Sequence, residues 1–133
     1  MNKIIIISIA LCFLISCQTQ LTNSIKPIIH LEKDTFQLGL VLIGDSTNVH
    51  LSIKNEGKET LNITNIGYGC GCTKGKLEKK VLKASESTTF EFTYKNGGDV
   101  GSFDKTIIFE TNAVEPFKIL KIIGQGATKS QGK

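Results

Sequence analysis

From Val49 onward the chain alternates apolar and polar residues with a period of two. Val49, Leu51 and Ile53 are interleaved with Asn48, His50, Ser52 and Lys54. Leu61 and Ile63 flank Asn62, and Phe90, Phe92 and Tyr94 are interleaved with Glu91, Thr93 and Lys95. Ile107 and Phe109 follow, then an apolar stretch from Phe117 to Ile123. Successive strand residues point to opposite faces, so this pattern specifies strands with one face on a core and the other in water. Turn signals separate the runs at Asn55-Glu56-Gly57-Lys58, at Lys95 to Asp99 and at Asn112 to Pro116. Strands at this spacing, with no amphipathic helix among them, predict an immunoglobulin-like antiparallel β-sandwich of about seven strands over residues 28–126. Val49, Leu51, Ile53, Leu61, Ile63, Phe90, Phe92 and Phe109 are its expected core.

The first residues read differently. Lys3 is followed by an apolar run from Ile4 to Ile15, then Ser16 and Cys17. The run is short of the roughly 20 residues a membrane-spanning helix needs. A cation, a short apolar run and a small residue before a cut form the layout of a secretory signal. Leu14-Ile15-Ser16-Cys17 resembles the bacterial lipobox, which implies cleavage before Cys17 and a diacylglycerol on its sulfur. The expected organisation is a signal peptide over 1–16, a polar tether over 17–27, the sandwich, and a frayed tail over 127–133. Anchoring by two or more acyl chains is stable, at about 0.8 kcal/mol per buried methylene. The membrane is thus one expected partner. No acidic run follows Cys17, which favours a periplasm-facing domain.

After the signal about 117 residues remain, enough for one domain with a core. All sixteen basic residues are lysine. Without arginine forks, nucleic-acid recognition is not expected. No serine, histidine and carboxylate fall into a catalytic signature, so no catalytic residue, cofactor or resident metal is predicted and the chain is not read as an enzyme.

The unusual local element is Gly69-Cys70-Gly71-Cys72-Thr73. Cys12 leaves with the signal and Cys17 is consumed by lipid, so Cys70 and Cys72 are the thiols left to pair. In a flat strand, residues two apart lie near 6.5–7 Å, at the edge of what a disulfide tolerates; the flanking glycines let the backbone bend. The pair is open to several readings: buried or bridged and inert, cycling as a redox couple, holding Cu(I), or pairing with cysteines of another protein. A metal site needs a third ligand, for which His30, His50 or a carboxylate are the candidates. Asp45-Ser46-Thr47 fits a short bacterial O-glycosylation pattern and makes Ser46 a candidate acceptor.

Ile53 to Gly57, Leu61-Asn62-Ile63, Cys70-Gly71-Cys72-Thr73, Gly101-Ser102-Phe103 and Thr111-Asn112 together resemble the bacterial family described as domain of unknown function 1573. The resemblance covers roughly Phe36 to Gly126. It implies an immunoglobulin-like fold akin to modules of the sperm-protein and ciliary type, and it implies no activity. The chain departs from the family at Ala84-Ser85-Glu86, where a Pro-Gly turn is usual. The function expected is a non-catalytic interaction or envelope-assembly module that contacts a protein partner. A thiol-redox protein and a copper carrier, both using Cys70 and Cys72, are the alternatives.

Overall fold

The computed structural model describes residues 25–130. The expected signal peptide, Cys17 and most of the expected tether lie outside the described residues. Within them the chain forms β1 (Ile29–Leu31), β2 (Thr35–Leu42), β3 (Ser46–Asn55), β4 (Leu61–Tyr68), β5 (Thr73–Leu77), β6 (Val81–Leu82), β7 (Ser87–Lys95), β8 (Gly101–Thr111) and β9 (Phe117–Ala127). A four-stranded sheet has the order β1-β3-β7-β5, and a five-stranded sheet the order β2-β9-β8-β4-β6. The chain changes sheet at each connection until the β8–β9 hairpin, so each alternating strand contributes its apolar face to a shared interior.

The expected core residues Leu51, Ile53, Leu61, Ile63, Phe90, Phe92 and Phe109 are buried, and Val49 packs against them from a half-buried position. The aromatic rings lock the two sheets together. Phe90 of β7 meets Phe109 of β8 edge-on at 5.0 Å, and Phe92 meets Phe36 of β2 at 5.8 Å. Such pairs add to the burial of their area.

The sandwich expected from periodicity is present, with two differences in detail. The described residues hold nine strands instead of about seven, because β1 and β6 have three and two residues and are too short to show a period. One pair, β2 with β9, is parallel. Nearly the whole domain separates these two strands, so no hairpin forces them antiparallel. The departure at Ala84-Ser85-Glu86 still makes a turn: the Glu86 N–H donates to the Lys83 carbonyl at 3.1 Å, with Ser85 at φ 65°. That left-handed conformation is the one a glycine adopts without steric cost.

Two buried asparagines brace opposite ends of the sandwich. Asn55 ends β3 at the end where the N-terminal segment joins; its Nδ2 donates to the carbonyls of Glu59 (2.7 Å), Leu82 (3.1 Å) and Lys83 (3.2 Å). Asn96 follows β7 at the other end; its Nδ2 donates to the carbonyls of Val41 (2.8 Å) and Asp99 (3.0 Å). Pro27, at the margin of the expected tether, is buried, and its carbonyl accepts the Val114 N–H at 3.1 Å. At the other margin, Ala127 is the last residue of β9, and its carbonyl accepts the Ile43 N–H at 2.8 Å.

Candidate functional site

β4 belongs to the five-stranded sheet and β5 to the four-stranded sheet, so the chain between them must cross from one sheet to the other. Gly69 to Cys72 make that crossing. The Gly69 N–H still donates to Thr106 of β8 at 2.8 Å, while the Cys72 carbonyl already accepts from Lys95 of β7 at 2.8 Å. This curvature brings the Cα atoms of Cys70 and Cys72 to 5.2 Å, and a disulfide joins them. The approach is well inside the 6.5–7 Å of a flat strand. Both cysteines are half-buried. Beneath them the buried Thr73 hydroxyl lies 3.7 Å from Cys70 Sγ and 3.9 Å from Cys72 Sγ. Disulfide sulfurs carry no proton, so the hydroxyl is the donor.

Cys72 also lines a depression of about 230 Å³ with Ser46, Gly71, Lys74, Thr93 and Lys95. The register explains the gathering: Ser46 of β3 lies opposite Lys95 of β7, and Lys74 of β5 lies opposite Thr93 of β7. Two residues singled out separately from the sequence, Ser46 and Cys72, therefore share one surface with two lysines. Ser46 itself is exposed at the start of β3.

The disulfide turn leads directly into β5, which among the described residues is an edge strand paired with β7 alone. Bonds from Lys95 to Cys72 and from Glu78 to Thr89 (3.1 Å) bracket this pairing. In an antiparallel ladder the alternation then directs the backbone groups of Thr73, Gly75 and Leu77 away from β7. The Gly75 carbonyl receives the Tyr68 hydroxyl at 3.2 Å, and burial raises the Tyr68 phenol pKa. A Cβ at Gly75 would strike the Phe90 ring, so β5 lies close on the core only because this residue is glycine.

Beside the turn, the 96–100 loop is held by Asp99. Its carboxylate accepts from the Tyr94 hydroxyl at 2.7 Å and from Lys105 Nζ at 3.0 Å. The Tyr94 hydrogen bond, then the Lys105 bond, hold the Asp99 carboxyl below its usual pKa. A group depressed in the folded state contributes stability that is full above its unfolded pKa, near 3.9. That contribution is lost as pH falls through the lower folded value. Melting temperatures measured from pH 6 to pH 2 should therefore fall less steeply below pH 4 in Asp99→Asn than in the parent, from a lower starting value.

The histidines lie apart from the cysteines. His30 is on β1 at the opposite end, near Glu56, and His50 is exposed on β3, four residues from Ser46, or about 13 Å along the strand. Among the described residues no group of three or more His, Cys, Asp or Glu converges as a metal site. A larger depression, of about 430 Å³, lies on the outer face of the five-stranded sheet around Gly39, Phe103 and Gly124. Among the described residues Asp104 is the one ionisable group lining it.

Residues 29–125 match the family profile described as protein of unknown function (DUF1573). The chain belongs to this family. No curated protein matches its sequence. Among solved structures, the DUF1573 chain is similar to a protein of unknown function from Porphyromonas gingivalis W83, with TM-score 0.66 and 16% identity over 74% of this chain. The match spans 46% of that protein. It is also similar to PapD-like domain 7 of human CEP192, with TM-score 0.59 and 9% identity over 86% of this chain and 96% of that one. A family 123 glycoside hydrolase from Clostridium perfringens aligns with TM-score 0.62 and 8% identity, over 80% of this chain and 28% of the hydrolase. At such identities the likeness is one of fold, and the DUF1573 chain inherits no chemistry from it.

Sequence reasoning did not anticipate the two lysines beside Cys72, or the buried roles of Asn55 and Asn96. The asparagines stood in recognised turn signals, but the spacing does not reveal which turn residue points inward.

Proposed function

We propose that this protein is a lipid-anchored, non-catalytic interaction module of the cell envelope, held through Cys17 and engaging a protein partner at the disulfide end. The observation that supports this reading is polarity along the sandwich. The N-terminal segment joins beside Gly57 and Val114, whereas the disulfide turn neighbours Lys95 and the 96–100 loop. β8 runs 11 residues between these ends, about 36 Å of strand. An anchor on one end directs the other toward neighbouring proteins. There the bridged turn fixes the start of edge strand β5, whose outward backbone groups at Thr73 and Leu77, on either side of the Gly75 carbonyl held by Tyr68, suit an extended segment added as a further strand. Lys74 and Lys76 flank that edge and favour an acidic segment.

The test is site-specific photo-crosslinking in intact cells. A crosslinker replacing Lys76 should give one discrete adduct, and one replacing His30 on the opposite edge should not. The Cys70→Ser/Cys72→Ser variant should remain lipidated and exported but lose most of the adduct. Cys17→Ser should release the protein from membranes or stall its processing. Equal adducts from both edges, or a mature protein with an unmodified Cys17, would overturn the reading.

Thiol exchange is the second reading, favoured by the lysines beside Cys72. A partner thiolate would attack Cys70 Sγ, breaking the S–S bond, forming a mixed disulfide and releasing the Cys72 thiolate beside Lys74 and Lys95. A second partner thiol would then displace Cys70, leaving the partner oxidised and both cysteines reduced. A mixed disulfide between Cys70 and a partner, trapped by acid quenching and alkylation of cells with the parent protein and absent with Cys70→Ser/Cys72→Ser, would replace the first reading with this one.

A further inference from the structure

The end of the sandwich opposite the disulfide carries apolar residues that the core does not use. Ile25 is 59% exposed, Ile28 42%, Val114 52% and Phe117 62%. They are neighbours in space. The Val114 N–H donates to the Pro27 carbonyl, between Ile25 and Ile28 in the chain. Ile28, Val114 and Lys118 line one depression, and Phe117 and Lys118 line the next. Phe117 begins β9, whose outward positions continue with Ile119, 48% exposed; the apolar stretch read from the sequence thus supplies the core through Leu120 and Ile122 and leaves its other face in water. Glu115 also lies in this cluster, and Lys118 is paired with Asp34 at 3.4 Å. The patch is therefore close to neutral, and its attraction is mainly apolar.

We infer that this end rests on the bilayer that holds the lipid, with Val114 and Phe117 inserted at the headgroup boundary. The inference rests on the anchoring through Cys17 proposed above. Eight residues lead from Cys17 to Ile25, and at most about 3.6 Å each they reach roughly 29 Å. The tether therefore ends beside the patch and holds it within roughly 29 Å of the membrane. Tethering makes the contact intramolecular, so a shallow apolar patch with little affinity of its own is held there by effective concentration. An aromatic ring and aliphatic side chains at a loop tip suit the boundary between headgroups and acyl chains. The same docking stands the sandwich upright and turns the Cys70–Cys72 end away from the lipid.

The chain has no tryptophan, so a single indole reports its own surroundings. The full-length lipoprotein, purified from membranes as F117W or as V100W, is reconstituted into phosphatidylethanolamine–phosphatidylglycerol vesicles with and without brominated acyl chains. Val100 is exposed in the loop at the disulfide end and serves as the control. The F117W emission should shift to the blue and lose at least half its intensity with brominated lipid, while V100W stays water-like and loses less than a tenth. Mass spectrometry of the same samples reads the lipid on Cys17. Lipidated protein with equal quenching at both positions overturns the inference alone. An unmodified Cys17 overturns the anchoring and the inference with it. A blue shift without bromolipid quenching that grows with protein density assigns the patch to a second copy of the chain, and also overturns the inference.

Discussion

Phe92→Ala should destabilise the mature domain by roughly 3–5 kcal/mol, the range for deleting a large buried aromatic. Phe92 is fully buried on β7, between Val49 of β3 and Gly75 of β5 in the register. Its ring reaches Phe36 of the other sheet at 5.8 Å and Phe90 along its own strand at 5.9 Å. The neighbours cannot close over the space easily. Phe90 is pinned between Phe109 and the β5 backbone at Gly75, so collapse toward the gap would separate β5 from the core. Removing the ring loses burial, aromatic contacts and part of the join between the sheets. Against a total stability of about 5–15 kcal/mol for a domain, this is a large fraction. Urea denaturation followed by circular dichroism should show a lower midpoint at unchanged slope. Ile119→Ala on the outer face of β9 should stay within about 0.5 kcal/mol of the parent. Equal losses at both positions would mean that the two faces of the sheets are assigned wrongly.

That contrast also marks how far the sequence was legible. Period-two runs identified β3, β4, β7 and β8 and gave their inward residues, because a half-buried strand must alternate. β9 was visible only as an apolar stretch. Phe117 and Ile119 obscure the alternation, since they face out yet are apolar. β1 and β6 carried no periodic signal, and the parallel pairing of β2 with β9 arises from contacts distant in sequence. The disulfide was one of several open readings, because spacing alone does not say whether the chain is flat or bent at Gly71. The bend becomes intelligible only when β4 and β5 are seen in different sheets. The lysine-flanked depression was less accessible still: Ser46, Cys72 and Lys95 come from three separate segments, and only the strand order brings them together.

Asn55→Asp should be the most damaging isosteric change in the domain, at roughly 3–5 kcal/mol near neutral pH, as for a buried charge left unpaired. Asn55 is fully buried and uses both halves of its amide. Oδ1 accepts from the N–H groups of Gly57 (2.9 Å) and Ile28 (3.3 Å), while Nδ2 supplies the carbonyls of Glu59, Leu82 and Lys83. A carboxylate keeps the first role and reverses the second, turning a negative oxygen toward three carbonyl oxygens. Protonation restores one donor, so the folded protein should hold the introduced carboxyl well above its unfolded pKa of about 3.9. With the folded value raised, the stability that goes with the protonated form is complete below the unfolded pKa and is lost as pH rises through the folded one. Stability relative to the parent should accordingly improve on acidification from pH 7 toward pH 4, in the direction opposite to the acid loss at Asp99. Asn55→Ala cannot titrate and should show a deficit independent of pH across this range, with each unsatisfied buried backbone group costing about 1–3 kcal/mol. Parallel denaturation series at pH 7, 5.5 and 4 distinguish the two. If Asn55→Asp shows the same deficit at all three values, the three carbonyls do not depend on the Asn55 amide. The brace between the β3 end, the 59–60 segment and β6 must then be held by packing alone.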